Sequence, residues 1–99
     1  MSTPEILSFA VCLFDYVQLL DYSGPMDLLG FLDNTSRDDP KRWARFSPPP
    51  KAVFEFTYLA PTRESVNPTS GPAVTPTSSY DEALASGKQF DVLLVPGGT

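Results

Sequence analysis

The turn Pro96-Gly97-Gly98 is the part of this sequence whose residue types most directly suggest chemistry. It follows Val92 to Val95, a short apolar run without alternation, which is typical of a strand buried on both faces in a parallel sheet. Ligands of open α/β sheets lie beyond the carboxyl ends of the strands, where exposed glycine N–H groups can bind an anion. We therefore predict that Gly97 and Gly98 form an oxyanion or substrate-binding site, and a plain turn is compatible with the same residues.

Cys12 is the single cysteine of the chain, and the chain contains no histidine. The lack of histidine excludes a Ser-His-Asp triad, a Cys-His pair and a His-ligated metal within these residues. Cys12 lies inside the apolar run from Ile6 to Phe14, where a small buried packing residue is expected, because a reactive thiol needs partial exposure and positive surroundings. We expect no metal and no cofactor. A single thiol gives no disulfide framework, so a cytoplasmic location is expected.

Length and composition predict one small domain with a packed core. The 99 residues are 41% hydrophobic and 12% aromatic, which argues against wholesale disorder. The net charge is −5, and the few basic residues have acidic neighbours, so a nucleic-acid partner is not expected. No signal peptide and no run of transmembrane length is present, so no membrane partner is expected.

The first half of the chain predicts a strand followed by a helix. Ile6 to Phe14 is apolar on both faces and predicts a central parallel strand, and residues 15 to 20 predict a loop or a strand extension. A short helix is predicted over roughly Gly24 to Asp33, with Ser23 or Asp21 as its cap and with a proline in its first turn.

The polar, proline-bearing stretch that follows predicts an insert at about 34–52, with a helical turn over Lys41 to Phe46. The triple proline at 48–50 favours a stiff connector, and a peptide ligand for an aromatic groove is the alternative. Val53 to Ala60 alternates in the manner of a half-buried strand nearer the sheet edge.

The second half predicts a hairpin, a helix and a last strand. Two short extended pieces are predicted around Val66 and Val74, on either side of a turn. Tyr80 to Ser86 predicts a short helix with Ser78 or Ser79 as its cap and a glycine as its stop. Strands that alternate with helices indicate the α/β class with right-handed crossovers.

Two segments resemble a known family. They are LFDYVQLLDYSGPMDLLGFL, residues 13–32, and SYDEALASGKQFDVLLVPGG, residues 79–98. Together they resemble the N-terminal half of the ThiJ/PfpI family, in the class I glutamine amidotransferase-like superfamily. The closest resemblance is to its isonitrile hydratase-like branch, in which the first strand is followed by a loop, Leu-Asp, Gly-Pro and a helix. Asp21, Gly24 and Pro25 stand at those places in this sequence. The resemblance implies a flavodoxin-like three-layer sandwich with a mainly parallel sheet, incomplete in this chain, in which residues 1–99 are the N-terminal part of a single domain.

The resemblance also implies a site with three parts. Asp21 corresponds to the acidic catalytic residue after the first strand, and Gly97 and Gly98 correspond to the amides of the Gly-Gly turn. The third part is a cysteine on a strand-to-helix elbow, which would come after residue 99, and Cys12 does not match it. A plain helix cap is the alternative role for Asp21.

The implied reaction is hydration of a small isonitrile to an N-substituted formamide, a lyase activity in which the thiolate attacks and Asp21 transfers protons. Without the elbow cysteine, the chain alone is expected to be inactive. The alternatives are a non-catalytic ligand-sensing or interaction module and a glyoxalase- or protease-like activity. The expected partner is a small-molecule substrate, and homodimer formation is left open.

Overall fold

The computed structural model describes residues 5–34 and 50–98, which form one parallel sheet with helices. The strands are β1 (Glu5–Cys12), β2 (Ala52–Ala60), β3 (Ser78–Ser79) and β4 (Val92–Leu94), in the spatial order β3-β2-β1-β4. The helices are α1 (Leu19–Leu29), continued by a 3-10 turn (Gly30–Leu32), and α2 (Tyr80–Ser86). Each strand pair in this sheet is parallel. The predicted α/β class and mainly parallel sheet are confirmed.

β1 is a central strand, and its two neighbours are reached in opposite directions. Phe9 lies opposite Phe56 of β2 on one side and opposite Val92 of β4 on the other. The connection that carries α1 leads from β1 to β2, and the connection that carries α2 leads from β3 back past β1 to β4. Right-handed crossovers that run in opposite directions place their helices on opposite faces of the sheet.

Contacts of the two helices agree with three layers. Tyr22 of α1 joins the core cluster that contains Phe9 and Val11 of β1. The hydroxyl of Tyr80 of α2 instead lies beside the Cys12 thiol and donates a hydrogen bond of 2.7 Å to the Leu13 carbonyl. Because successive strand residues point to opposite faces, Val11 and Cys12 face different layers.

The core is built on an aromatic cluster between the first two long strands. The ring of Phe9 lies 5.2 Å from that of Phe54 and 5.0 Å from that of Phe56, measured between centroids. Phe54 and Phe56 are two residues apart on β2 and therefore share a face, as the alternation predicts. The two-residue β3 pairs with Leu59 and Ala60 at the carboxyl end of β2. Nearer the amino end of β2, Asp33 forms a single parallel bridge with Phe54.

Helix α1 begins earlier than the sequence predicts. Its first residue is Leu19 rather than Gly24, and the N-cap is Gln18, whose side chain makes no capping bond. Pro25 therefore lies inside the helix, where it removes the hydrogen bond to the Asp21 carbonyl, a change that costs about 3 kcal/mol in a helix interior. The predicted caps, Asp21 and Ser23, are helical residues. Residues 19 and 20, predicted as loop or strand, belong to the first turn.

The hairpin and helix α2 match their predictions. Val66 and Val74 exchange two N–H to carbonyl hydrogen bonds of 2.9 Å. Ser79 caps α2 in a capping box with Glu82, and Gly87 ends it in the left-handed conformation. The predicted helical turn over 41–46 and most of the predicted insert lie outside the described residues. Within the described parts of the chain, no helix is long and apolar enough to cross a membrane.

Candidate functional site

The carboxyl ends of β1 and β4 lie side by side, with Val11 opposite Leu94. The loop after β1 and the turn after β4 therefore lie at the same edge of the sheet. In open α/β sheets, ligands bind in crevices beyond the carboxyl ends of the strands. A site in this fold is therefore expected between the loop after β1 and the turn after β4.

Two of the residues singled out from the sequence meet at this point. The N–H of Gly97 donates a hydrogen bond of 2.9 Å to Oδ2 of Asp21, which lies 76 positions earlier in the chain. The carbonyl of Gly97 accepts a hydrogen bond of 2.8 Å from the N–H of Gln18. The beginning of α1 thus holds both polar groups of the Gly97 residue, while the side chain of Asp21 stays exposed to solvent.

Gly98 is required by close packing. A Cβ at Gly98 would lie 2.6 Å from the carbonyl oxygen of Tyr16 and 2.7 Å from Cε2 of Phe14. Gly98 also forms an antiparallel bridge with Val17. A larger residue at Gly98 would therefore push the turn away from the loop after β1. A Cβ at Gly97 would lie 2.9 Å from Oδ2 of Asp21, so a larger residue there would displace the carboxylate rather than the backbone.

The two glycine amides have different partners. The Gly97 N–H is already used by Asp21. The Gly98 N–H has no acceptor among the described residues. Of the two amides predicted to bind an anion, Gly98 is thus the one left for a ligand, and Gly97 positions the carboxylate. Catalytic and oxyanion roles for the three residues remain predictions.

The loop after β1 contains a strained residue that the sequence analysis missed. Tyr16 has a φ of 67°, in the left-handed region that non-glycine residues rarely occupy. Its carbonyl oxygen adjoins Gly98, and its N–H donates a hydrogen bond of 2.7 Å to the carbonyl of Asn67. Gly, Asn and Asp are the residues that indicate a positive φ in a sequence, so a tyrosine at this position does not predict the turn.

The hairpin of residues 66–74 clamps the other side of this loop. Oδ1 of Asp15 accepts a hydrogen bond of 3.0 Å from the N–H of Asn67. The carbonyl of Val17 accepts one of 2.9 Å from the N–H of Thr69. The loop after β1 is therefore held between the hairpin and the Gly97-Gly98 turn. The sequence predicted the hairpin without this role.

Cys12 lies near the site but is not activated. The hydroxyl of Tyr80 donates a hydrogen bond of 2.7 Å to the Leu13 carbonyl and also contacts the thiol. Burial raises the pKa of the Cys12 thiol, and the hydrogen bond with Tyr80 only partly opposes that rise. Burial, reinforced by Cys12, raises the pKa of Tyr80 to about 12. A half-buried, protonated thiol is a poor nucleophile, because the thiolate is the reactive form.

The described residues contain no group of three Asp, Glu or Cys side chains arranged to hold a metal ion. What this region offers chemically is an exposed carboxylate, a glycine amide and a fixed turn between them. These are the components of proton transfer and of anion stabilisation.

The fold of this chain is similar to the folds of solved structures of known proteins. No family model and no curated protein matches the sequence. Drosophila melanogaster DJ-1beta matches with a TM-score of 0.64 and 16% identity, over 97% of this chain and 39% of that protein. A DJ-1 superfamily protein from Agrobacterium tumefaciens matches with a TM-score of 0.55 and 20% identity, over 93% of this chain and 38% of that protein. The chain therefore has the flavodoxin-like α/β fold of these DJ-1 structures and spans about two fifths of their length.

Proposed function

We propose that this chain is the N-terminal part of an isonitrile hydratase-like protein of the ThiJ/PfpI family. The complete protein hydrates a small isonitrile to an N-substituted formamide. The observation that carries the proposal is the 2.9 Å hydrogen bond between Asp21 and the N–H of Gly97, beyond the carboxyl ends of β1 and β4. The resemblance assigned these residues to one site, and their contact supports that assignment.

A cap role does not account for Asp21. It is the third residue of α1, and its Oδ2 bonds to the turn after β4 rather than to its own helix. Its other oxygen, Oδ1, has no partner among the described residues, and the side chain is exposed. This arrangement holds one oxygen in place and leaves the other available for a proton.

Each group has a defined task in the proposed reaction. A thiolate from an elbow cysteine beyond residue 99 attacks the terminal carbon of the isonitrile, and that carbon receives a proton to give a thioimidate. Water then adds to the carbon–nitrogen double bond: the oxygen bonds to the carbon while Asp21 takes one proton of the water, and the remaining hydroxyl proton passes to the nitrogen. The carbon–sulfur bond then breaks, which releases the thiolate and leaves the formamide. Asp21 delivers the first proton and removes one from the attacking water. The Gly98 N–H stabilises the negative charge that develops on the oxygen bound to the reacting carbon.

Exposed apolar groups support a larger complete domain. β4 is an edge strand of the described sheet. Exposed apolar side chains include Leu93 of β4 at 61% and Leu84 of α2 at 82%. An exposed apolar strand edge is a template for pairing, so further strands and helices are expected to cover it. The DJ-1 structures, of which this chain spans 39% and 38%, are long enough to include such elements.

The proposal is tested by the substitution Asp21→Asn in the complete protein. Asparagine keeps the shape and can accept the Gly97 hydrogen bond, but it cannot exchange the proton. We expect formamide production from benzyl isonitrile, followed by mass spectrometry, to fall by about 10²- to 10⁴-fold. The free energy of unfolding should change by less than about 0.5 kcal/mol.

Asp27→Asn is the matched control, because Asp27 is an exposed acid on the same helix. Its turnover should equal that of the wild type. Full activity in Asp21→Asn would reduce Asp21 to a positioning role. A wild-type protein that converts no isonitrile would contradict the proposed reaction itself.

Ligand sensing without turnover is the second candidate. It needs only the Asp21 carboxylate, which Gly97 holds in place, and the Gly98 N–H to bind a polar group, with no proton transfer. A sensor would bind the isonitrile saturably and release no formamide. Calorimetric titration beside the turnover assay separates the two candidates.

A further inference from the structure

Tyr16 occupies a turn position that ordinarily belongs to glycine. The N–H of Val17 donates a hydrogen bond of 3.1 Å to the carbonyl of Phe14, which closes a turn with Tyr16 as its third residue. The φ of Tyr16 is 67°. A positive φ at this position is the mark of a type II turn, where glycine or asparagine is favoured because a Cβ is strained. The tyrosine is therefore retained against a conformational cost.

The fold uses the backbone of Tyr16 and leaves its ring exposed. The Tyr16 N–H bonds to Asn67, and the Tyr16 carbonyl adjoins Gly98. A glycine would make both contacts without strain. The side chain is 62% exposed and does not belong to the core cluster. Packing within the described residues gives no reason for an aromatic ring here.

Tyr16 adjoins the proposed site, and other exposed apolar residues lie close to Asp21 and Gly97 along the chain. Leu20, 71% exposed, directly precedes Asp21, and Val95, 69% exposed, is two residues before Gly97. The polar pair of Asp21 and Gly97 is thus flanked along the chain by exposed apolar side chains. A ligand with a small polar head and an apolar substituent suits such surroundings, since binding sites combine apolar walls with a few placed polar groups.

We propose that Tyr16 is a specificity-determining residue whose ring contacts the apolar substituent of the isonitrile. The proposal rests on the proposed function and specifies its substrate class, namely isonitriles that carry an aryl or bulky alkyl group. The backbone of Tyr16 is held by Asn67 through its N–H and packs against Gly98 through its carbonyl oxygen, so the ring is attached to a fixed turn. Methyl isonitrile, which lacks a substituent of this size, does not reach the ring.

The experiment compares benzyl isonitrile with methyl isonitrile in the complete protein. In Tyr16→Gly the ratio of kcat/KM for benzyl over methyl isonitrile should fall by about 10-fold or more, mainly through KM, because one apolar contact is lost. Turnover of methyl isonitrile should stay within about twofold, and Tm should be unchanged or higher, because glycine relieves the strain. Tyr16→Phe keeps the ring and should keep the wild-type ratio.

Two outcomes overturn the inference. One is an unchanged ratio in Tyr16→Gly. The other is an equal loss with both substrates together with a lower Tm, which would mean that the ring packs against the rest of the protein. If the wild type turns over neither isonitrile, the proposed reaction fails and the same comparison is made with dissociation constants from calorimetry. A benzyl preference that disappears in Tyr16→Gly then supports the subsite, and equal or absent binding overturns it.

Discussion

The two helices of this chain begin in opposite ways. α2 is capped by its own sequence, because Ser79 accepts a hydrogen bond from the N–H of Glu82 and the Glu82 side chain accepts one from the N–H of Ser79. α1 has no side-chain cap at Gln18. Its first turn instead directs the Gln18 N–H and the Asp21 carboxylate across to Gly97.

The difference shows that the start of α2 is stabilised by residues close in sequence, whereas the start of α1 is stabilised by residues far away in sequence. A self-capped helix start depends on neighbours within four residues. The start of α1 depends on a turn that lies 76 positions away from Asp21. A helix whose end groups bond to another loop is weaker alone but positions that loop, which is what a site requires. Three pairs of substitutions test this comparison.

The largest effect is expected from Gly98→Ala, which displaces the turn that holds the start of α1. The new Cβ would lie 2.6 Å from a backbone oxygen of Tyr16, which cannot rotate away. We expect the free energy of unfolding, measured by urea in the complete protein, to fall by about 1–3 kcal/mol. Formamide production should fall as well, since the turn moves away from Asp21.

Gly30→Ala is the control, because a Cβ at Gly30 meets no atom within 4 Å. Gly30 begins the 3-10 turn after α1. Its replacement should change stability by less than about 1 kcal/mol, and in the favourable direction. If both alanine variants behaved alike, close packing at the turn would not be the reason for Gly98.

A smaller effect sharpens the contrast between the helix starts. Ser79→Ala removes the cap of α2 and should cost about 1 kcal/mol of unfolding free energy. Gln18→Ala alters the N-cap of α1 without removing a capping bond, so a change within about 0.5 kcal/mol is expected. Equal losses in the two variants would mean that Gln18 stabilises α1 through its side chain, contrary to the contacts described.

The smallest effect concerns acid stability at the start of α2. The hydrogen bond from Arg63, above all, lowers the pKa of Glu82 from 4.5 to about 2. Because the folded pKa lies below the unfolded one, the stabilisation is fully present above about pH 4.5 and is lost as the pH falls toward 2. The pair is exposed, so salt should weaken it.

Thermal unfolding from about pH 6 to about pH 2 checks this expectation. Glu82→Gln keeps a capping residue but should flatten the acid limb of the Tm curve, and Asp81→Asn, an exposed neighbour, should leave the contribution of Glu82 in place. Parallel curves for wild type and Glu82→Gln would show that the ion pair adds nothing measurable.

The same contrast explains what could be predicted from the sequence. The limits of α2 follow from Ser79 and Gly87, because capping chemistry is local. The strands follow from apolar runs and alternation. The start of α1 was missed because Gln18 and Asp21 are satisfied by Gly97, a distant residue that no local pattern reveals. Sequence rules are expected to fail at such places, since functional sites break local preferences.

The site itself was only partly predictable. Gly97 and Gly98 were found from their position after an apolar run, and Asp21 was assigned by resemblance. That they meet follows from the topology, which places β4 beside β1. Tyr16 was missed because its conformation is imposed by the turn and by the Asn67 contact, against its own preference.

The position of β1 also sets the order in which its two edges can pair during synthesis. Its pairing with β2 and the Phe9–Phe54–Phe56 cluster need only residues up to 60. Its other side waits for Asp91, which bonds to Ser8 across 83 positions. At about 5–20 residues per second, the ribosome needs about 4–17 s to cross that distance. For about the last 2–6 s of that time, between residue 60 and Asp91, β1 is paired with β2 on one edge while its other edge is bare. Asp21 gains its partner Gly97 only after that edge is paired.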